Sequence, residues 1–441
     1  MATTRKKTRR RVKKEKVDLL IVNANELVTL QGQNVRPRTG KEMKSLEIIR
    51  KGCLAVKDGR IVAVGKTSEI RKRFRAENVI STSEKIVMPG FVDPHTHLVF
   101  AGSREDEFQM RVEGASYLKI LDAGGGILKT VKETRRTSVE RLVDFGFKTL
   151  DTMLEHGTTT IEAKSGYGLT VKDELKILKV IKRLNQLHAV DIVPTFLGAH
   201  AVPPEYRNCV QGYVNLVVKE MIPQVTAQKL AEFCDVFCER GVFSLEQSRR
   251  VLVAGKNYGL KLKVHADEIS TLGGAELAAD VEAISAEHLL FSSDKGIRAM
   301  ANKGVIAVLL PAAAFGLMSV RHVDARKAIS FGVPVALGTD FNPNCWIENQ
   351  QLVIAFACHF MKLAPAEAIT ATTINAAHAI GRADEVGSLE VGKKADVIIL
   401  DVPNHKFLGY RFGVNLVDKV IKDGRLVFDR EERPNLNPFL R

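Results

Sequence analysis

The feature that most constrains this chain is a series of eight short apolar segments separated by longer stretches. The segments are 86–97, 158–164, 191–197, 235–239, 261–265, 283–288, 305–310 and 334–340. Runs this short and apolar read as strands with both faces buried. The stretches between them carry apolar residues at three- and four-residue spacing, as between Lys172 and Leu184, which is the period of a helix with one buried face. Strand, crossover helix and next parallel strand is the unit that such alternation specifies. Eight units predict an α/β fold, a (β/α)8 TIM-type barrel over 86–384. An open doubly wound sheet shares the pattern, so the count by itself leaves both open.

The two ends have a different texture. Residues 18–23 and 52–65 are short strand runs, the second turning at Asp58-Gly59 between β-branched residues, a hairpin signal. Similar runs return at 395–400 and 419–428, with a second Asp-Gly turn. Residues 17–85 and 385–441 are therefore expected to form one small composite β-sandwich of antiparallel strands. The formal charge of +14 suggests nucleic acid until it is located: residues 1–16 hold nine Lys or Arg against Glu15, leaving +6 on the other 425 residues. That reads as a disordered, solvated tail. The body shows no aromatic and basic interleaving on which bases could stack, which argues against a nucleic-acid partner. No run of 18 apolar residues and no signal-type start occur, and six scattered cysteines fit reduced thiols, so the expectation is a cytoplasmic protein with no membrane partner. Cys234 and Cys238 are expected to be small buried residues rather than a zinc site, because no second pair accompanies them. An isologous homodimer is the base expectation for assembly.

Polar residues at the segment ends locate a site. His95 and His97, two apart in an extended stretch, point the same way, and His-x-His alone is a weak signal. Lys164, His200, Glu239, His265, His288 and Asp340 stand at the corresponding ends of later segments, where a barrel collects its catalytic groups. His95, His97, His265 and Asp340 offer three imidazoles and a carboxylate for one divalent metal ion, Zn or Fe, which would supply hydroxide near neutral pH. Glu268, three residues past His265, is the expected general base, with Asp267 its nearest competitor. His288 is expected to orient the hydroxide or stabilise the oxyanion, and Asp340 to act in catalysis as well as ligation. Singly, each of these has a plainer reading: a hydrogen-bonded core histidine, or for Asp340 a helix cap.

These motifs resemble the amidohydrolase superfamily: Pro-Gly-Phe-Val-Asp-Pro-His-Thr-His at 89–97, Leu-Gly-Thr-Asp at 337–340 and Gly-Ser-Leu-Glu-Val-Gly-Lys-Lys-Ala-Asp at 387–396. Further segments, including 99–108, 113–117, 124–127, 162–168, 196–201 and 265–268, narrow the resemblance to the branch acting on imidazolone rings. It implies a mononuclear enzyme that adds water to the cyclic amide of 4-imidazolone-5-propanoate, giving N-formimino-L-glutamate in histidine degradation. It implies that this small molecule is held by Arg104, Tyr117, Tyr167, His200, Glu268 and Asn342 with its neighbours Asn344 and Cys345, and a guanidinium at 104 suits the substrate carboxylate. Without the resemblance, Arg104 reads as a surface cation and the tyrosines as packing. Many relatives have a small Gly-Ser or Gly-Thr where Asn344 and Cys345 stand, which puts the backbone of that loop in question if it needs positive φ. Two other readings are open: a cytosine- or guanine-type deaminase of the same superfamily, and a binding or scaffolding protein on an inactive hydrolase body, which would hold no metal.

Overall fold

The computed structural model describes residues 14–32, 35–115, 119 and 124–432. Tyr117 and the tail to residue 13 lie outside them. Eight parallel strands form one sheet in chain order: Phe91–Asp93, Thr158–Lys164, Asp191–Ala199, Phe233–Cys238, Lys261–Ala266, Ser285–His288, Ile306–Leu309 and Val335–Leu337. The sheet closes beyond its last and first strands. Thr96 bridges Phe341, His97 N–H donates to the Phe341 carbonyl at 2.8 Å, and Asp340 N–H donates to that of His95 at 3.0 Å. Closure removes both sheet edges and selects the barrel over the open sheet. Helices cover it, started by side-chain caps such as Ser138 before Val139–Glu155 and Thr170 before Val171–Leu187. The latter buries Ile177, Leu178, Ile181 and Leu184 on one face, the stripe that the spacing predicts.

Two sheets stack beside the barrel. One is built wholly from the N-terminal part, in the order Arg60–Lys66, Gly52–Lys57, Glu15–Ala24, Phe74–Ser81. The other joins Arg425–Asp429, Val417–Lys422 and Val397–Leu400 to Ile86–Pro89, Glu26–Val28 and Ile48–Ile49. Leu19, Ile21, Leu54 and Val56 of the first meet Val87, Val397, Ile399 and Ile421 of the second in one apolar core. Both Asp-Gly pairs turn with positive φ, 51° and 74° at Asp58-Gly59 and 47° and 74° at Asp423-Gly424, the backbone that matches strand twist in a two-residue hairpin.

Three details differ from the sequence reading. Glu15 and Lys16, assigned to the tail, already lie in a strand. That strand pairs in parallel with Phe74–Ser81, so the sandwich is not all antiparallel. The segment 86–97 is not one barrel strand: Ile86–Pro89 belongs to the sandwich and the barrel begins at Phe91. Gly90 makes the crossing. Its N–H donates to Asp396 in the sandwich while Phe91 N–H donates to Gly157 in the barrel, and a Cβ at position 90 would come within 2.3 Å of Thr159. An unbroken apolar run hides such a crossing because both sheets bury it.

Candidate metal centre and substrate pocket

His95 and His97 stand just past the first barrel strand, and the Thr96 bridge keeps both imidazoles on the inner side. Their Nε2 atoms lie 3.3 and 3.6 Å from Asp340 Oδ1. The His265 ring centroid is 4.6 Å from that of His95 and 5.2 Å from that of His288. His95 with His97 and Asp340, and His95 with His265 and His288, each bring ligand atoms within 4.8 Å of one another. Nε2 of His95, Nε2 of His265 and Oδ1 of Asp340 are buried without a hydrogen-bond partner. Leaving such atoms unpaired is costly, and converging imidazole nitrogens with a carboxylate oxygen are a donor set that zinc or ferrous ion satisfies. A divalent ion therefore fits these residues. His288, expected only to orient a hydroxide, stands close enough to belong to the donor cluster as well.

Behind the histidines lies a layer of buried charge that the sequence reading missed. His95 Nδ1 is 2.6 Å from Glu287 Oε2, and His265 Nδ1 is 3.0 Å from Asp235 Oδ2. A carboxylate on Nδ1 turns Nε2 of each ring toward the donor cluster. Lys164 Nζ reaches Glu162, Asp235 and Glu287 at 2.8, 2.9 and 2.9 Å, and Lys263 Nζ lies 3.1 Å from Glu287, all fully buried. Burial alone would raise the Asp235 carboxyl, but His265 and Lys164 hold it well below the usual carboxylate range. A signal existed: Glu162 with Lys164, Lys263 with His265 and Ser285 with Glu287 are polar residues two apart, each pair flanking one apolar residue in a strand, hence on one face. Lys164 and Glu239 are accordingly not free ligands. Glu239 accepts from the backbone N–H groups of Arg240, Ile269 and Ser270 and from the Ser270 hydroxyl.

A cavity of about 320 Å³ is lined by His97, His265, His288 and Asp340 of the cluster together with Arg104, Glu107 and Arg111. Glu268, Tyr167, His200, Asn342, Asn344 and Cys345 complete much of the wall. The cavity thus gathers every described substrate-binding candidate. Glu268 leans in from the loop that Glu239 pins, its Oε1 3.7 Å from His288 Nδ1. Burial and the nearby carboxylates Asp340 and Glu239 push its carboxyl up to about 8. Asp267, the competing candidate, is engaged away from this role. Its carboxylate accepts from the N–H groups of Leu272, Gly273, Gly274 and Ala275 and from the Ser292 hydroxyl, capping a helix. Burial, with His265 beside it, pushes His200 down to about 3, so its ring is neutral. Its Nδ1 donates to the Gly166 carbonyl at 3.0 Å, which leaves Nε2 as an acceptor. The contact needs glycine there: a Cβ at 166 would sit 2.9 Å from the ring.

Asp340 and His288 have φ of 54° and 70°, backbone that costs about 1–3 kcal/mol per residue and concentrates at functional sites. Asn344 is not among the positive-φ residues, so the loop that departs from the relatives' small residues is unstrained. Asn342 builds that loop, donating to the Asp340 carbonyl and accepting from Asn344 and Cys345 N–H, so its amide is largely committed there. Cys345 is buried, as are Cys234 and Cys238, and all six cysteines are unbridged.

Compared with known proteins, residues 86–427 match the amidohydrolase family and residues 52–76 match the imidazolonepropionase-like composite domain of bacteria. The chain is 51% identical to an imidazolonepropionase of Alkaliphilus metalliredigens over 94% of its own length and 99% of the relative's. It is 55% identical to one of Geobacillus kaustophilus over 93% and 97%. Among solved structures, an adenosine deaminase from Xanthomonas campestris with bound Zn superposes with TM-score 0.71 at 20% identity, covering 96% of each chain. A 5-methylcytosine deaminase from Klebsiella pneumoniae does so at 0.71 and 16%, covering 95% of this chain and 99% of that one. At such identities the likeness is one of fold.

Proposed function

The chain belongs to the amidohydrolase family, and from that premise we infer that it is an imidazolonepropionase: it opens the cyclic amide of 4-imidazolone-5-propanoate with water to N-formimino-L-glutamate, a hydrolytic step of histidine degradation. The observation that carries this reading is one cavity lined both by a metal-type donor cluster and by a buried guanidinium, Arg104. That pairing suits a ring amide bearing a carboxylate tail. A nucleobase has no such tail, and the deaminases share only the fold.

We propose that His95, His97, His265 and Asp340 hold one divalent ion, Zn or Fe. When bound, it lowers the pKa of water and polarises the ring carbonyl. Glu268 as carboxylate takes a proton from the attacking water, and as acid returns it to the ring nitrogen whose bond to the carbonyl carbon breaks. Burial keeps His288 neutral, down at about 3, so it serves as a hydrogen-bonding group and not as a cation. His200 Nε2 accepts from a ring N–H, and Tyr167 and Arg104 hold the propanoate. Six unbridged thiols support a cytoplasmic site of action, and among the described residues no helix is long and apolar enough to cross a membrane. A homodimer, the commonest closed assembly, is the oligomer we propose.

The test is to follow loss of ultraviolet absorbance of freshly made imidazolonepropanoate, with formiminoglutamate assayed as product. Rapid loss that a chelator abolishes and a divalent ion restores is expected; product formation unaffected by exhaustive chelation would reject the metal assignment. Arg104→Ala is expected to raise KM by about 10- to 100-fold, the worth of one charge-assisted hydrogen-bonded pair, with a smaller effect on kcat. An unchanged KM would move the carboxylate elsewhere.

A further inference from the structure

The helix Glu105–Val112 lines the cavity through Glu107 and Arg111, with Arg104 as the residue that precedes it. Arg104 is less free than its position suggests. Its Nε and Nη2 both donate to Glu107 Oε2, at 2.9 and 2.7 Å, and Glu107 Oε1 accepts from Gly126 N–H at 2.9 Å. Both carboxylate oxygens of Glu107 are therefore engaged, and the residue is 3% exposed. Arg104 and Glu107 make a neutral pair, and a carboxylate brought to that pair meets no net positive charge.

One turn further along the same helix, Arg111 shares the face of Glu107 and lines the same cavity. Its Nε is buried and lacks a hydrogen-bond partner among the described residues. Burial, together with the like charge of Arg104, disfavours its charged form, and Glu107 only partly offsets this. A buried guanidinium N–H that finds no acceptor among the described residues is costly, and the cavity that Arg111 lines can supply a partner. Among the described residues 104–111 that line the cavity, two guanidiniums stand against one glutamate, a surplus of one positive charge that matches a ligand with one carboxylate.

We propose that Arg111 is a specificity-determining residue: it supplies the unneutralised charge that selects a carboxylate-bearing ring, while the Arg104–Glu107 pair sets the position and direction of the contact. This rests on the imidazolonepropionase reading above. The planar guanidinium suits the task, because it can meet a carboxylate with parallel N–H groups without releasing the neighbouring pair.

The experiment compares unaltered enzyme, Arg111→Gln and Arg111→Lys in steady-state kinetics. The ligands are imidazolonepropanoate and its neutral carboxamide analogue, used as alternative substrate or competitive inhibitor, and thermal midpoints check folding. For Arg111→Gln the expected result is a KM raised by about 10- to 100-fold for the propanoate, with little change in kcat. The constant for the carboxamide should stay unchanged, and Arg111→Lys should recover part of the loss. An unchanged KM for the propanoate overturns the proposal, as does a carboxamide constant that rises in parallel, which would mark a packing role. Failure of the unaltered enzyme to hydrolyse imidazolonepropanoate is a separate result, which rejects the functional reading and this inference with it.

Discussion

Glu268→Gln is expected to lower kcat by about 10²–10⁴-fold, the usual worth of a positioned proton-transfer group, with KM and thermal midpoint little changed. The side chain faces the cavity from a loop whose backbone is tied at Ile269 and Ser270 to Glu239, so an isosteric amide keeps the geometry and removes only the proton acceptor. The pH dependence follows from the same surroundings. Burial, Asp340 and Glu239 push Glu268 up to about 8, and a base works only as carboxylate, so activity falls as pH drops through its pKa. A divalent ion held nearby favours the charged form and draws that pKa down, placing the acid limb of kcat/KM between about 4.3, the ordinary glutamate value, and the value set by burial. The residual rate of the glutamine variant should lack this limb. A variant that keeps the full limb would assign the base elsewhere.

Lys164→Met is expected to destabilise the fold by about 3–5 kcal/mol, because it removes one partner of a buried ion network and leaves the others uncompensated. Glu162, Asp235 and Glu287 would face one another at full burial, with Lys263 and His95 left against Glu287 and His265 against Asp235. Adding Asp235→Asn should recover part of the loss, since it lowers the unpaired charge, and a double-mutant cycle in urea at fixed metal concentration measures the coupling. The sign with pH is defined. Asp235 is held below its ordinary range by His265 and Lys164, so its contribution is present above the unfolded carboxylate pKa and is lost as pH falls. The deficit of the methionine variant should therefore shrink toward acid pH. A Lys164→Met protein as stable as the parent at pH 7 would mean that the network does not hold the barrel interior together.

Much of the barrel was legible because its cause is local. Alternating strand and helix periods show directly in residues, and polar residues at the ends of apolar runs show where a parallel barrel must expose chemistry. His95, His97, His265 and Asp340 could be grouped from the sequence alone because each ends a strand of the same barrel. The crossing at Gly90 was not legible, because residues 86–92 are apolar in both sheets they serve. The division between Asp267 and Glu268 was expected from the spacing to His265, but its structural cause was not legible. They are adjacent acids in the chain, and only the helix beginning at Gly274 commits the first to capping and frees the second.

The sequence by itself determined the alternating strand and helix units, the reaction class and the side-chain types offered for it, since periodicity and composition are properties of neighbours along the chain, whereas closure into a barrel is a tertiary event. Tertiary structure alone decided which charges are free. Lys164 looked available and is committed to buried carboxylates, Glu239 is committed to loop N–H groups, Arg104 shares its guanidinium with Glu107, and Arg111, unremarked in the sequence, keeps a buried donor without a partner among the described residues. The reason is physical: a charge is costly to bury unpaired, so its role is set by whichever partner the fold brings within about 3 Å, and for Lys164 the partner Glu287 lies more than a hundred residues away in the chain.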